Sequence, residues 1–92
     1  MALIVHFVPQ GMDHVKYADV LRQLEAAGEG TPKGRLAHTC YGPKDSLRVV
    51  DVYDTKASFE AFGRTLIPIL AKLGVDVGQP DVMEVHNVVR GT

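Results

Sequence analysis

His38 and Cys40 stand two residues apart in RLAHTCYG (Arg35 to Gly42), and Asp51 and Tyr53 stand two apart in RVVDVY (Arg48 to Tyr53). Histidine changes charge near neutrality, so His38 is a candidate general acid or base or a hydrogen-bond partner for a substrate. A carboxylate in an apolar strand is costly unless paired. Arg48 or a histidine would meet that need for Asp51. An Asp51–His38 contact across a hairpin would orient the imidazole and raise its basicity; the same contact also reads as a purely structural ion pair. His6 and His86 add imidazoles, and Tyr53 and Tyr17 add phenols that either edge a cavity or fill core.

Other chemistries fit less well. Three histidines (His6, His38 and His86) are a plausible metal set by number. No H-x-H or H-x-x-x-H spacing brings them together, so no metal is expected. Cys40 has no second cysteine to pair with, which removes an internal disulfide and cysteine-based zinc frameworks. Its side chain follows His38 on the same strand parity, too distant for a tight nucleophile–base bond, and reads as a small buried hydrophobe. GEGTPKG (Gly28 to Gly34) lacks the strand-to-helix setting of a phosphate loop, and no cofactor is implied. His14, near a helix start, reads as a solvated residue.

The elements that position these groups follow from pattern. Leu3 to Val8 is β-branched and aromatic and ends at Pro9 and Gly11, a strand. Asp13 caps a helix running to about Ala27 with Gly28 as its stop, and Tyr17, Val20, Leu21 and Leu24 form its apolar stripe. Leu36 to Tyr41 and Leu47 to Tyr53 read as strands joined into a hairpin by GPKDS. Asp54 or Thr55 caps a second helix presenting Phe59 and Phe62, then Leu66, Leu70 and Leu73. Pro68 predicts a break near Gly63 to Thr65 or a kink. Gly74 ends this helix, and Val82 to Val89 reads as the last strand, with His86 and Asn87 on opposite faces.

The order β-α-β-β-α-β is that of two split β-α-β units. It predicts an α+β, ferredoxin-like domain: one four-stranded antiparallel sheet in the order 4-1-3-2 with both helices on one face. In that order the last strand neighbours the first, so His86 and His6 are expected close together if register and face agree. The strands alternate imperfectly, so the uncovered face is expected to be apolar enough to pack against a second copy. A homodimer follows, and at 92 residues a chain commonly needs such a partner.

Composition narrows the function classes. The formal net charge is −1 with acids and bases interspersed, unlike the clustered Lys and Arg of a nucleic-acid surface. MALIVHFVPQ has no basic lead and is interrupted by His6 and Pro9, so neither a signal peptide nor a membrane span is expected. A single cytoplasmic domain covering residues 1–92 is the expectation.

The segments G-R-L-A-H (Gly34 to His38), L-R-V-V-D-V-Y-D (Leu47 to Asp54), F-E-A-F (Phe59 to Phe62), L-I-P-I-L (Leu66 to Leu70) and V-H-N-V-V (Val85 to Val89) resemble small proteins of the dimeric α/β-barrel superfamily. The pattern looks most like uncharacterised bacterial members and is similar to the antibiotic-biosynthesis monooxygenase group. The resemblance implies a dimeric barrel of two sheets. It also implies a range of activities: cofactor-independent monooxygenases of aromatic polyketides, isomerases, haem enzymes, and stress-responsive members without clear chemistry. Tyr53 stands where the subgroup usually carries Trp, a departure that enlarges the pocket and adds a phenol, so the subgroup's substrates are not carried over to this chain. His38 and His86 match recurrent histidines of the pattern.

The expected function is therefore a small-molecule enzyme. Its pocket between sheet and helices would take an aromatic or polyketide-like molecule and perform isomerisation, cyclisation or cofactor-independent oxygenation. His38, with His86 and Asp51, would carry the chemistry, and Tyr53, Tyr17, His6, Phe62 and Leu66 would bind substrate. The alternative is a non-catalytic ligand-binding or stress-response dimer with structural histidines. A haem-degrading enzyme is weakened by the lack of Trp and of a histidine in the second helix.

Overall fold

The computed structural model describes residues 1–92. Its elements run β1 (Leu3–Phe7), α1 (His14–Ala26), β2 (Arg35–Tyr41), β3 (Arg48–Tyr53), α2 (Lys56–Lys72) and β4 (Asp81–Glu84). The four strands form one antiparallel sheet in the order β2-β3-β1-β4, and both helices pack on one face. This is the ferredoxin-like arrangement.

Capping explains the helix starts. The Asp13 side chain accepts the Lys16 N–H at 2.8 Å, and the Thr55 hydroxyl accepts the Ser58 N–H at 3.1 Å, each satisfying a donor that the first helical turn leaves free. Alternation explains the core. Val5 and Phe7 of β1 and Val49, Asp51 and Tyr53 of β3 turn to the helices, where Val20, Leu24, Phe62, Ile69 and Leu70 meet them. Leu21 was expected in that stripe but is 42% exposed at the cleft edge, because α1 turns its Val20–Leu24 line to the sheet.

Pro68 does not split α2, which runs unbroken through it. Proline supplies no N–H to the carbonyl of Arg64. Both residues lie on the exposed side of the helix, so water can take that carbonyl.

The last strand is shorter than expected, because β1 is its only neighbour and starts at Leu3. Pairing runs from Asp81 opposite His6 to Glu84 opposite Leu3. One further bond follows, from the Val85 N–H to the Ala2 carbonyl. Residues 86–92 are exposed and form no strand. No helix is long and apolar enough to cross a membrane.

A candidate acid–base site between sheet and helices

β2 and β3 pair with His38 directly opposite Asp51, so both side chains leave the same sheet face and meet. His38 Nδ1 lies 2.5 Å from Asp51 Oδ1. On the far side of the ring, Nε2 lies 2.6 Å from the Tyr17 hydroxyl of α1. The other Asp51 oxygen accepts the Tyr53 hydroxyl at 3.0 Å. Four side chains from three elements thus form one hydrogen-bonded chain, Tyr17–His38–Asp51–Tyr53.

The chemistry of its ends sets its direction. A carboxylate only accepts. Asp51 takes O–H from Tyr53 and N–H from Nδ1 of His38, which leaves Nε2 of a neutral imidazole with its lone pair toward the Tyr17 O–H. Asp51 is sealed, its side chain 3% exposed, whereas the His38 side chain is 21% exposed. His38 and Tyr17 are therefore the members a ligand can reach, and Asp51 acts through His38. No buried side-chain polar atom lacks a partner.

Burial pushes the Tyr17 phenol up from 10.0 to about 12, reinforced by the neighbouring Cys40. Burial, followed by the adjacent Asp51 charge, holds the Tyr53 phenol above its usual range. Both phenols stay protonated donors. Burial likewise raises the Cys40 thiol, which keeps it from the thiolate form a nucleophile needs.

The chain of hydrogen bonds opens on a largely apolar cleft whose walls include Phe7, Met12, Val20, Leu24, Phe62 and Leu66, with an interior volume of about 50 Å³. A second cavity of about 160 Å³ adjoins it, with Phe7, Phe62, Leu66 and Val77 as shared walls. Next to two of the cleft's wall residues, Pro9 and Val77, a two-way backbone bridge joins Gln10 and Asp76. Phe62 and Leu66 thus stand where a substrate-binding role was expected of them.

Other expected site residues lie elsewhere. His6 points to the opposite sheet face, where its Nε2 is 2.7 Å from the Tyr41 hydroxyl. It does not line the cleft. His86 is exposed and outside β4. The antiparallel register sends residue 86 toward the start of β1, five positions from His6, or roughly 16 Å at strand spacing; the structure brings it neither to His6 nor to His38. Arg48 pairs with Tyr41 on the outer face and is exposed, so it is not the partner of Asp51. No group of three or more His, Cys, Asp or Glu side chains is placed to hold a metal ion.

One cleft residue carried no sequence signal. The β2–β3 register shifts between Arg35 and Ala37. This bulge turns Arg35 to the same face as His38 although the two are three residues apart. Its guanidinium carbon lies 5.1 Å from the Phe62 ring centroid, and the residue lines the cleft.

No family model and no curated protein sequence matches the chain. Solved structures do. SnoaB, a cofactor-independent oxygenase from Streptomyces nogalater, superposes with a TM-score of 0.59 at 16% identity over 98% of this chain and 96% of its own. NE2512 from Nitrosomonas europaea, a protein of unknown function, gives 0.55 at 16% over 99% and 91%. A Caulobacter crescentus protein provisionally described as an antibiotic biosynthesis monooxygenase gives 0.57 at 15% over 96% and 89%. The chain has the ferredoxin-like fold of antibiotic-biosynthesis-monooxygenase-like proteins. At such identities the likeness carries the fold, and chemistry has to be argued from the residues of this ferredoxin-like domain itself.

Proposed function

We propose that the chain is a small-molecule enzyme that moves a proton on an aromatic or polyketide-like substrate bound in the cleft, with His38 as the base. The supporting observation is the one-way hydrogen-bond chain Tyr17–His38–Asp51 ending at an apolar wall. A substrate C–H or O–H gives its proton to the Tyr17 oxygen as the Tyr17 proton passes to His38 Nε2. Asp51 holds the resulting imidazolium. Because burial disfavours the Tyr17 phenolate, Tyr17 relays the proton and does not store the charge. Return of the proton to another atom of the enolate is an isomerisation. In a cofactor-independent oxygenation, the activity named for SnoaB, the enolate would instead react with dioxygen.

The test is deuterium exchange into phenylacetone, a small aromatic ketone with an acidic methylene, in anaerobic heavy water. Wild type should accelerate exchange, and His38→Gln should lower the rate by about 10²-fold or more. Binding of the ketone without exchange in wild type would overturn the enzymatic reading. It would favour a non-catalytic ligand-binding dimer, a reading supported by the small cleft and by the pairing of its buried polar atoms.

The proposed working form is a homodimer. The sheet face away from the helices carries Ile4, Ala37, Val50, Val52 and Met83, with Ile4 38% and Met83 66% exposed. Val88 and Val89, in the unpaired tail, are 61% and 85% exposed. A second copy laid on this face would bury both sets and give the tail a strand to pair with, which would place His86 at the interface. Size-exclusion chromatography with light scattering should find twice the chain mass for wild type and a folded monomer for Val50→Asp. A wild-type monomer at micromolar concentration contradicts it.

A further inference from the structure

The cleft contains one cation that the proton relay does not use. Arg35 is half-buried beside His38, laid over Phe62. The ion pairs of the chain are Arg22–Asp19, His38–Asp51 and Lys56–Glu60, and none involves Arg35. Asp51 is the cleft's one carboxylate, and its two oxygens bond His38 and Tyr53, not Arg35. The guanidinium donors of Arg35 make no hydrogen bond within the chain. A cation against an apolar wall gives up hydration, yet a backbone bulge aims this one inward where a regular strand would have turned it to the other face.

From this placement we infer that the cleft takes a small aromatic acid, with its carboxylate on Arg35 and its ring among Phe62, Leu66 and Val20. The inference rests on the proposed cleft being the ligand site and adds the charge and size of the ligand. A planar guanidinium offers paired N–H groups that match a carboxylate's two oxygens. The aromatic Phe62 beneath it fixes its plane and continues into the apolar wall, so an anionic group and a ring on one ligand find adjacent partners. An interior of about 50 Å³, backed by a cavity of about 160 Å³ across the Phe62–Leu66 wall, suits one ring better than several.

Benzoate and benzamide, near-identical in shape and differing in charge, are the probes. Binding is read from backbone amide shifts in nuclear magnetic resonance at about pH 8, and the Arg35 variants separate its charge from any carried by His38. Wild type should bind benzoate at least about tenfold more tightly than benzamide, with shifts centred on Arg35, Phe62 and Leu66. Arg35→Met should remove that preference and leave benzamide affinity within about twofold. Arg35→Lys should keep part of it, which separates lost charge from lost fold. Equal affinities in wild type, a preference that survives Arg35→Met, or no binding of either probe in the millimolar range would overturn the inference. The proton-transfer reading fails separately, when the neutral ketone binds without exchange while the benzoate preference stands.

Discussion

His38 Nδ1 and Asp51 Oδ1 stand 2.5 Å apart across the β2–β3 hairpin, directly opposite in register. The pair is held by backbone pairing on both strands, so its geometry does not depend on mobile loops. Asp51→Asn keeps the shape but removes the negative charge that holds the imidazolium, whichever way the amide turns. Turnover should fall by about 10²-fold or more while circular dichroism stays that of wild type. A variant with full activity would reduce Asp51 to a structural partner.

The two phenols of the relay should differ in what they contribute to stability. Tyr53→Phe strands a carboxylate oxygen of a residue only 2% exposed, out of reach of water, and should cost about 1–3 kcal/mol. Tyr17→Phe frees Nε2 of His38, which faces the cleft where water replaces the lost donor, and should cost less than about 1 kcal/mol. Denaturant midpoints of the two variants check the order. Exchange into the ketone, by contrast, should suffer from Tyr17→Phe.

Alkaline stability carries a signature of the same phenols. Tyr17 is raised from 10.0 to about 12 and Tyr53 is raised as well. Once the pH passes the unfolded phenol value, the unfolded chain gives up protons that the folded chain keeps. Their stabilising contribution is therefore complete below pH 10.0 and is lost as the pH climbs toward about 12. Unfolding midpoints should fall with a steeper slope over that window in wild type than in Tyr17→Phe. Phenolate absorbance should show a component near 12 that this variant lacks.

Gly34 joins the loop to the strand that carries Arg35 and His38. Its φ is +86°, and a Cβ there would collide with the Ser58 hydroxyl and come within 2.6 Å of the Asp54 carboxylate. The left-handed backbone alone penalises an L-residue by about 1–2 kcal/mol, and the collision adds to it. Gly34→Ala should lower the melting temperature by at least about 4–8 °C. An unchanged melting temperature would mean that the start of α2 yields freely to β2.

The topology was legible because caps, apolar periodicity and turn residues agreed at each element, and the His38–Asp51 contact because a hairpin with one plausible register places them opposite. What depends on docking was not legible. Tyr17 meets His38 only once α1 lies on the sheet, and no spacing between residues 17 and 38 announces it. Arg35 was missed because a bulge between it and Ala37 reverses its face, and Gly34 before it reads only as the end of the loop. Val85 to Val89 has the composition of a strand, but β4 can pair only as far as β1 offers backbone, so His86 falls beyond it. Pro68 read as a breaker because the sequence did not reveal that it lies on the exposed side of α2.

The direction of the bonds through His38 decides its role, since a base needs its Nε2 lone pair toward Tyr17 while Nδ1–H is held by Asp51. Nitrogen-15 magnetic resonance of the imidazole at about pH 8 reads this directly. The predicted result is a proton on Nδ1 of His38 and an unprotonated Nε2. A proton on Nε2 in the wild-type protein would contradict the relay and leave His38 a structural residue.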